Sequence, residues 1–364
     1  MRCETFRFDE VTINFDRKRI PLSAKQRSER QGNYRYYGAQ GVIDYVDDYI
    51  FDGTYLLIAE DGENLKSQKQ NIAQIAKGKF WVNNHAHIVQ TNEHCDLQYL
   101  YYLINSMDLS GYITGSAQPK LSQANLNAVT LQLPSIEEQK KIVAILGALD
   151  DKIELNNKIS ENLERQAQAI FRSWFLDYLP FNSIKPTHWK FCTLGETTKM
   201  SAGGDKPKGI SNIKSTEYPY PIYSNGLDNE GLYGYTNEAK IFAESVTVSA
   251  RGTIGFVCLR HIPYVPIVRL VTLIPNENLI SAKYLYLYLK QLRISGTGTT
   301  QQQLTVPDFR KTEILIPDKI TMDKFTNLIS PMFNQIWANG EENIKLASLR
   351  DSLLPKLMSG EIEL

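Results

Sequence analysis

The chain has 364 residues, 42% hydrophobic and 22% charged, which excludes a disordered or fibrous protein and is too long for one ordinary core. Its 40 Lys and Arg balance 40 Asp and Glu, so net charge alone speaks against a polyanion binder. No apolar run approaches the ~20 residues that span a bilayer, the N-terminal MRCETFRFDE has no apolar leader, and Cys3, Cys95, Cys192 and Cys258 form no C-x-x-C pair. These features predict a protein of the reducing cytoplasm with no membrane partner, no metal site and no disulfide framework.

Residues 1–133 read as a first globular domain. Its N-terminal stretch is basic, with Arg2, Arg7, Arg17, Lys18, Arg19, Lys25, Arg27, Arg30 and Arg35 against few acids. TYLLIAE and WVNNHAHIVQ read as strands, the second placing His85 and His87 on one face, and LQYLYYLIN reads as an aromatic helix. Residues 134–180 then read as one long helix. Ser135 followed by Glu138 forms a capping-box start. A 3-4 seam follows: Ile142, Leu149, Asn156, Leu163 and Ile170, interleaved with Leu146, Ile153, Ser160, Ala167 and Trp174. This helix is acid-rich, with Glu137, Glu138, Asp150, Asp151, Glu154, Glu161 and Glu164.

Residues 181–316 repeat the pattern. The stretch Lys185 to Lys214 is basic, SVTVSA and IVRLVTLI read as strands, and AKYLYLYLKQL reads as a second aromatic helix. Residues 317–364 form a second rod, with Phe325, Met332, Asn339, Leu346 and Leu353 on one seam position. Pro331, Gly340 and Pro355 predict that it is kinked or broken.

The two halves are copies. Gly298 stands 183 positions after Gly115, and that register carries Gln118 onto Gln301, Leu121 onto Leu304, Pro134 onto Pro317 and Asn156 onto Asn339. An earlier block repeats at a different offset, Gly41 matching Gly231 and Gly62 matching Gly252. The fold class is therefore α+β: two repeated α/β domains separated by two long antiparallel coiled-coil helices with pseudo-twofold symmetry. Leu149, Ile153, Asn156, Leu163, Ile336, Asn339 and Leu346 are the expected pairing residues of these helices. The two asparagines either set the register, lying close together in an antiparallel pair, or face solvent.

No G-x-x-x-x-G-K-[ST] loop, no amino-methyltransferase tetrapeptide and no nuclease core stands in the chain. The stretch LPSIEEQKKIVAILGALDDKIELNNKISENLERQAQAIFRSWF resembles the central region of type I restriction–modification specificity subunits. LRDSLLPKLMSGEIEL resembles their C-terminal end, and YGAQGVIDY and GSAQPKLS resemble segments of their target recognition domains. That resemblance implies two target recognition domains, each reading half of a split, asymmetric site in double-stranded DNA. It implies that the helices set the gap and dock two methyltransferase subunits, with restriction/motor subunits joining for cleavage. It implies a subunit that performs no chemistry and holds no cofactor, S-adenosylmethionine, ATP and Mg²⁺ residing in the partners. A coiled-coil scaffold with two partner-binding domains and no DNA is the alternative.

The halves of an asymmetric site differ, so positions identical in both copies are expected to be frame or phosphate contacts, and differing loop positions are expected to read bases. Arg251 stands opposite Asp61; arginine favours guanine O6/N7, whereas a carboxylate accepts from cytosine N4. Gln302 and Gln303 stand opposite Pro119 and Lys120, and glutamine suits adenine. Arg35, Tyr36, Gln40, Tyr223, Asn225 and Thr253 complete the expected DNA-binding set. SARGTIGF suits either a backbone nest for phosphate or a glycine hairpin. Tyr99, Tyr102, Tyr284, Tyr286 and Tyr288 are expected to pack helices onto sheets.

Overall fold

The computed structural model describes residues 2–67, 70–115, 118–296 and 303–364. Gln301 and Gln302 therefore lie outside the described residues. The chain divides into two compact units, one of Met1–Asn156 with Glu341–Leu364 and the other of Asn157–Gly340.

In the first unit the strands are β1 (Glu4–Arg7), β2 (Thr12–Asn14), β3 (Gln31–Gly38), β4 (Gly41–Val46), β5 (Phe51–Ala59), β6 (Ala73–Val82), β7 (Ala86–Thr91) and β8 (Thr130–Leu133). Six form one sheet in the order β2-β7-β5-β6-β3-β4, while β1 pairs with β8. The apolar run of β5 is buried on both faces. Leu56 and Ile58 pack with Val89 and with Tyr99 and Leu100 of the aromatic helix Leu97–Ser106. Leu57, one residue out of phase, packs with Phe80 and Ile88 on the other side. WVNNHAHIVQ is two strands and not one. The chain turns at Asn83–His85, where the Asn83 side chain accepts from the His85 N–H at 2.8 Å, so His85 sits in a turn and His87 in β7.

In the second unit the strands are β9 (Lys190–Thr193), β10 (Thr198–Ala202), β11 (Tyr220–Tyr223), β12 (Leu232–Thr236), β13 (Ser245–Val248), β14 (Val257–Arg260), β15 (Val265–Pro266), β16 (Val271–Pro275) and β17 (Glu313–Ile316). The order β10-β16-β13-β14 repeats β2-β7-β5-β6, and β12-β11-β15 repeats the rest. The register repeats as well: Leu56↔Val89 in one unit, Val246↔Leu273 in the other. Parallel pairing also recurs, Tyr36↔Trp81 and Ile222↔Val265. What is one sheet in the first unit is two in the second. The stretch His261–Tyr264, with Pro263 unable to donate to a ladder, separates β14 from β15 where β6 runs on. IVRLVTLI is strand only from Val271; the chain turns before it.

Each unit holds an antiparallel helix pair. The first long helix, Ile136–Phe175, opens with the Ser135–Glu138 box, the Ser135 hydroxyl donating to Glu138 at 2.8 Å. In the first unit its Ile142 and Leu146 bury against Leu357, Asp150 meets Arg350 at 2.7 Å, and Asn156 donates to Asn343 at 2.9 Å. In the second unit Asn339 donates to Ser160 at 3.1 Å, and Phe171 and Phe175 pack on Phe325. Leu149, Ile153, Leu163, Ile336 and Leu346 are half-buried, and Asn156 and Asn339 fully buried, which removes the solvent-facing reading of the asparagines. Residue 343 is the repeat mate of Ser160, so Asn156–Asn343 and Asn339–Ser160 are equivalent pairs.

The second long helix corrects the expected break. It runs unbroken over Lys319–Ser359, through Pro331, Gly340 and Pro355. A mid-helix proline costs about 3 kcal/mol. Here both prolines are exposed, and buried Ile329, Phe333 and Leu357 hold the flanking turns against neighbouring elements. Packing on one face outweighs the missing N–H groups on the other.

Candidate nucleic-acid interface

In the first unit several loops converge at one end of the sheet. The carbonyl of Glu60, just past β5, accepts from the Leu121 N–H at 2.8 Å, and the Gly62 N–H donates to the Pro119 carbonyl at 3.3 Å. The Glu60 N–H in turn donates to the His85 carbonyl at 2.9 Å. These bonds set Asp61 against Lys120 as a backbone bridge, and the Asp61 carboxylate takes His85 Nδ1 at 2.7 Å. Gln40, in the β3–β4 turn, reaches Gly62, where a Cβ would stand 3.8 Å from its Nε2.

Beneath this surface lies an ion network. Asp16, Glu60 and His87 hold ligand-type atoms within 4.8 Å of one another. Arg19 already serves both carboxylates, at 3.4 Å to Asp16 and 2.7 Å to Glu60. His87 faces Asp16 at 2.6 Å and the Leu121 carbonyl at 2.8 Å, so both ring nitrogens are engaged. A cation would find these ligand atoms spent. Burial alone would raise the Asp16 pKa, but His87, the Ile88 N–H and Arg19 bring it below the ordinary carboxylate value.

The second unit repeats the frame with other side chains. The Leu304 N–H donates to the Ala250 carbonyl at 3.0 Å, the repeat mate of the Leu121–Glu60 bond. Where Asp61 meets Lys120, Arg251 Nη2 donates to Gln303 Oε1 at 3.1 Å. Asn225 spends its carboxamide on the frame: Oδ1 accepts from the Ala250 N–H at 2.8 Å and Nδ2 donates to the Val268 carbonyl at 2.7 Å. Val268 and Arg269 adopt φ of 52° and 60°, a left-handed conformation that costs about 1–3 kcal/mol at a non-glycine residue. Gly203 permits this turn, since a Cβ there would stand 2.8 Å from the Ile267 N and O atoms. SARGTIGF takes a hairpin form, with the Gly255 N–H committed to the Ser249 carbonyl at 3.0 Å.

The model of the type I restriction modification DNA specificity domain matches residues 2–165 and 186–341. The chain belongs to this family. A type I restriction enzyme specificity subunit of Methanocaldococcus jannaschii is 27% identical over 73% of this chain and 69% of its own length. A putative type I specificity subunit of Mycoplasma pneumoniae is 27% identical over 94% of this chain and 93% of its own. The crystal structure of a type I restriction–modification S subunit from M. genitalium shares the fold, with a TM-score of 0.61 over 98% of this chain and 96% of that one at 16% identity.

Within this specificity subunit the expected readers separate. Gln40, Asp61 and Lys120 come together in the first unit, and Asn225, Arg251 and Gln303 in the second. Thr253 is exposed in the β13–β14 loop beside Arg251. Arg35 is exposed on β3, five residues before Gln40, and bonds the Tyr37 hydroxyl. Tyr36 is corrected outright. It is fully buried, with its hydroxyl accepting from the Leu22 N–H at 2.8 Å, because strand alternation turns it inward where its repeat mate Ile222 is also buried. The Tyr223 ring is covered by the Arg260 guanidinium at 3.6 Å. The aromatic-helix tyrosines pack as expected: Tyr99, Tyr102, Tyr284 and Tyr286 are buried.

The basic N-terminal stretch is also corrected. Arg7 pairs with Asp9, Arg19 with Glu60, Arg27 with Asp44 and Arg30 with Asp47, so four of its nine basic side chains are neutralised internally. In the second unit exposed Lys206, Lys208, Lys214, Lys240, Arg251 and Arg269 have no carboxylate at ion-pair distance among the described residues. Sequence reasoning missed Arg269. Its mate in the first unit is His85, and the repeat offset in β16 and β7 would have singled the pair out.

Proposed function

We propose that this specificity subunit recognises a bipartite, asymmetric site in double-stranded DNA, each unit reading one half, and positions methyltransferase and restriction subunits on it. The observation that carries this reading is one backbone frame bearing two sets of side chains. Leu121–Glu60 and Leu304–Ala250 are the same bond, yet they present Asp61 and Lys120 in one copy and Arg251 and Gln303 in the other. A shared frame with divergent polar tips suits a ligand whose two halves share a backbone and differ in bases. The long helices set the gap and offer the surface on which two methyltransferase subunits dock. The subunit itself contributes recognition, with S-adenosylmethionine, ATP and Mg²⁺ held by its partners.

The test is methylation mapping in a host that also carries the methyltransferase subunits. Exchanging residues 181–316 for another recognition domain should change one half-site and leave the other intact. Binding of the assembled complex to its site should weaken steeply with salt, through counterion release. Alteration of both halves defeats the modular reading, and salt-insensitive or absent DNA binding favours a scaffold.

A further inference from the structure

Two exposed arginines in the second unit come from segments that one side chain ties together. Asn225 accepts from the Ala250 N–H, next to Arg251, and donates to the Val268 carbonyl, next to Arg269. The Arg269 turn is held from its other side as well. The Val268 N–H donates to the Gly204 carbonyl and the Arg269 N–H to the Gly203 carbonyl, both at 2.9 Å. A left-handed Val268–Arg269 pair is thus fixed by three hydrogen bonds and by a glycine whose Cβ would collide with Ile267.

The first unit shows what these positions do when filled otherwise. Arg269 is the mate of His85, and Arg251 the mate of Asp61. In the first unit this pair is an acid and a base in contact at 2.7 Å, already satisfied. In the second it is two guanidinium groups with no carboxylate within ion-pair distance among the described residues. Neighbouring segments bearing like charges, with a rigid backbone under one of them, call for an acceptor from outside.

We infer that Arg269 is a specificity-determining residue of the second unit, set beside Arg251 by Asn225, and that it reads guanine in the half-site of that unit. The inference rests on the proposed DNA reading. Guanine is the base whose O6 and N7 take an arginine fork, and a fork needs the fixed presentation this turn provides. A phosphate contact would be kept in both copies, whereas this position changes from His85 to Arg269. Asn225 is a positioning residue, since both ends of its carboxamide are bound to backbone.

The experiment uses the full chain assembled with its methyltransferase subunits. Arg269→Ala should relax one base position in the half-site assigned to residues 181–316 and leave the other half unchanged. Its affinity for the cognate duplex should fall at least about tenfold, that for a random duplex less than about twofold. Arg269→Lys keeps the charge and loses the fork, and should relax the same position even if the alanine variant folds poorly. Asn225→Ala should broaden that position too, with the first half-site intact. An unchanged methylation pattern overturns the inference, as does equal loss on cognate and random duplexes, which marks a phosphate contact. If Asn225→Ala lowers only yield, its positioning role fails. The wild-type complex separates the two levels: no site-specific methylation by it sinks the DNA reading itself, whereas a wild-type pattern that Arg269 variants leave untouched sinks only this inference.

Discussion

Asp16 is the residue on which the first unit's interface rests. Its side chain is 5% exposed, between His87 and Arg19, and its second oxygen accepts from the Ile88 N–H at 2.8 Å. Glu60 has a lowered pKa as well, burial being outweighed by Arg19, Lys120 and His87. A carboxylate whose pKa is depressed on folding stabilises the fold above its unfolded value and loses that contribution as pH falls through the folded one. Thermal stability should therefore decline below pH about 4, and Asp16→Asn should flatten that decline while lowering stability at neutral pH. Asp16→Ala removes the partner of His87 Nδ1 and one of the two carboxylates at Arg19, which keeps Glu60, and should cost about 1–3 kcal/mol in urea unfolding. None of this was legible in the sequence, where Arg19 counted towards a basic patch. Its partners lie at residues 60, 84 and 86.

At the scale of the element, the seams and the aromatic helices were readable because their periodicity is local. The breaks assigned to Pro331, Gly340 and Pro355 were not, because local propensity cannot weigh the packing of the opposite face. Gly340 now makes a sharp prediction. It is helical and exposed, and nothing lies within 4 Å of a Cβ built on it. Gly340→Ala should stabilise the chain by about 0.5–1 kcal/mol, read as a raised urea midpoint with unchanged slope. A loss of stability would mean that the glycine serves a conformation other than the plain helix.

For the whole molecule, the repeat organises both units. Asp150–Arg350 in the first unit is replaced at the equivalent positions of the second by Phe333 and Ala167, an ionic layer exchanged for an apolar one. The polar layer of Asn156 with Asn343 and Asn339 with Ser160 is kept in both. A buried polar layer fixes register at some cost in stability. If the helices are the ruler of the proposed bipartite site, inserting four residues after Asn156 and four after Gly340, where the two units divide, lengthens each by about 6 Å. Methylation mapping should then show both half-site sequences retained and the gap between them changed. An unchanged gap removes the ruler role.

The duplication, the two long helices with their asparagines, the aromatic helices and the family were all legible in the order of residues. All of these are local patterns or their repetition at a fixed offset, visible without knowing what touches what. The tertiary structure decided which charges remain available and which loops meet. Tyr36 turned inward, four N-terminal arginines found acids, and Asn225 became a clamp. Arg269 emerged from a strained turn that no propensity would place at a valine. These outcomes depend on contacts between residues far apart in the chain, such as Arg251 with Gln303 across 52 positions. Long-range pairing follows from sheet register and loop closure, so a string of residue types carries the candidates and the fold selects among them.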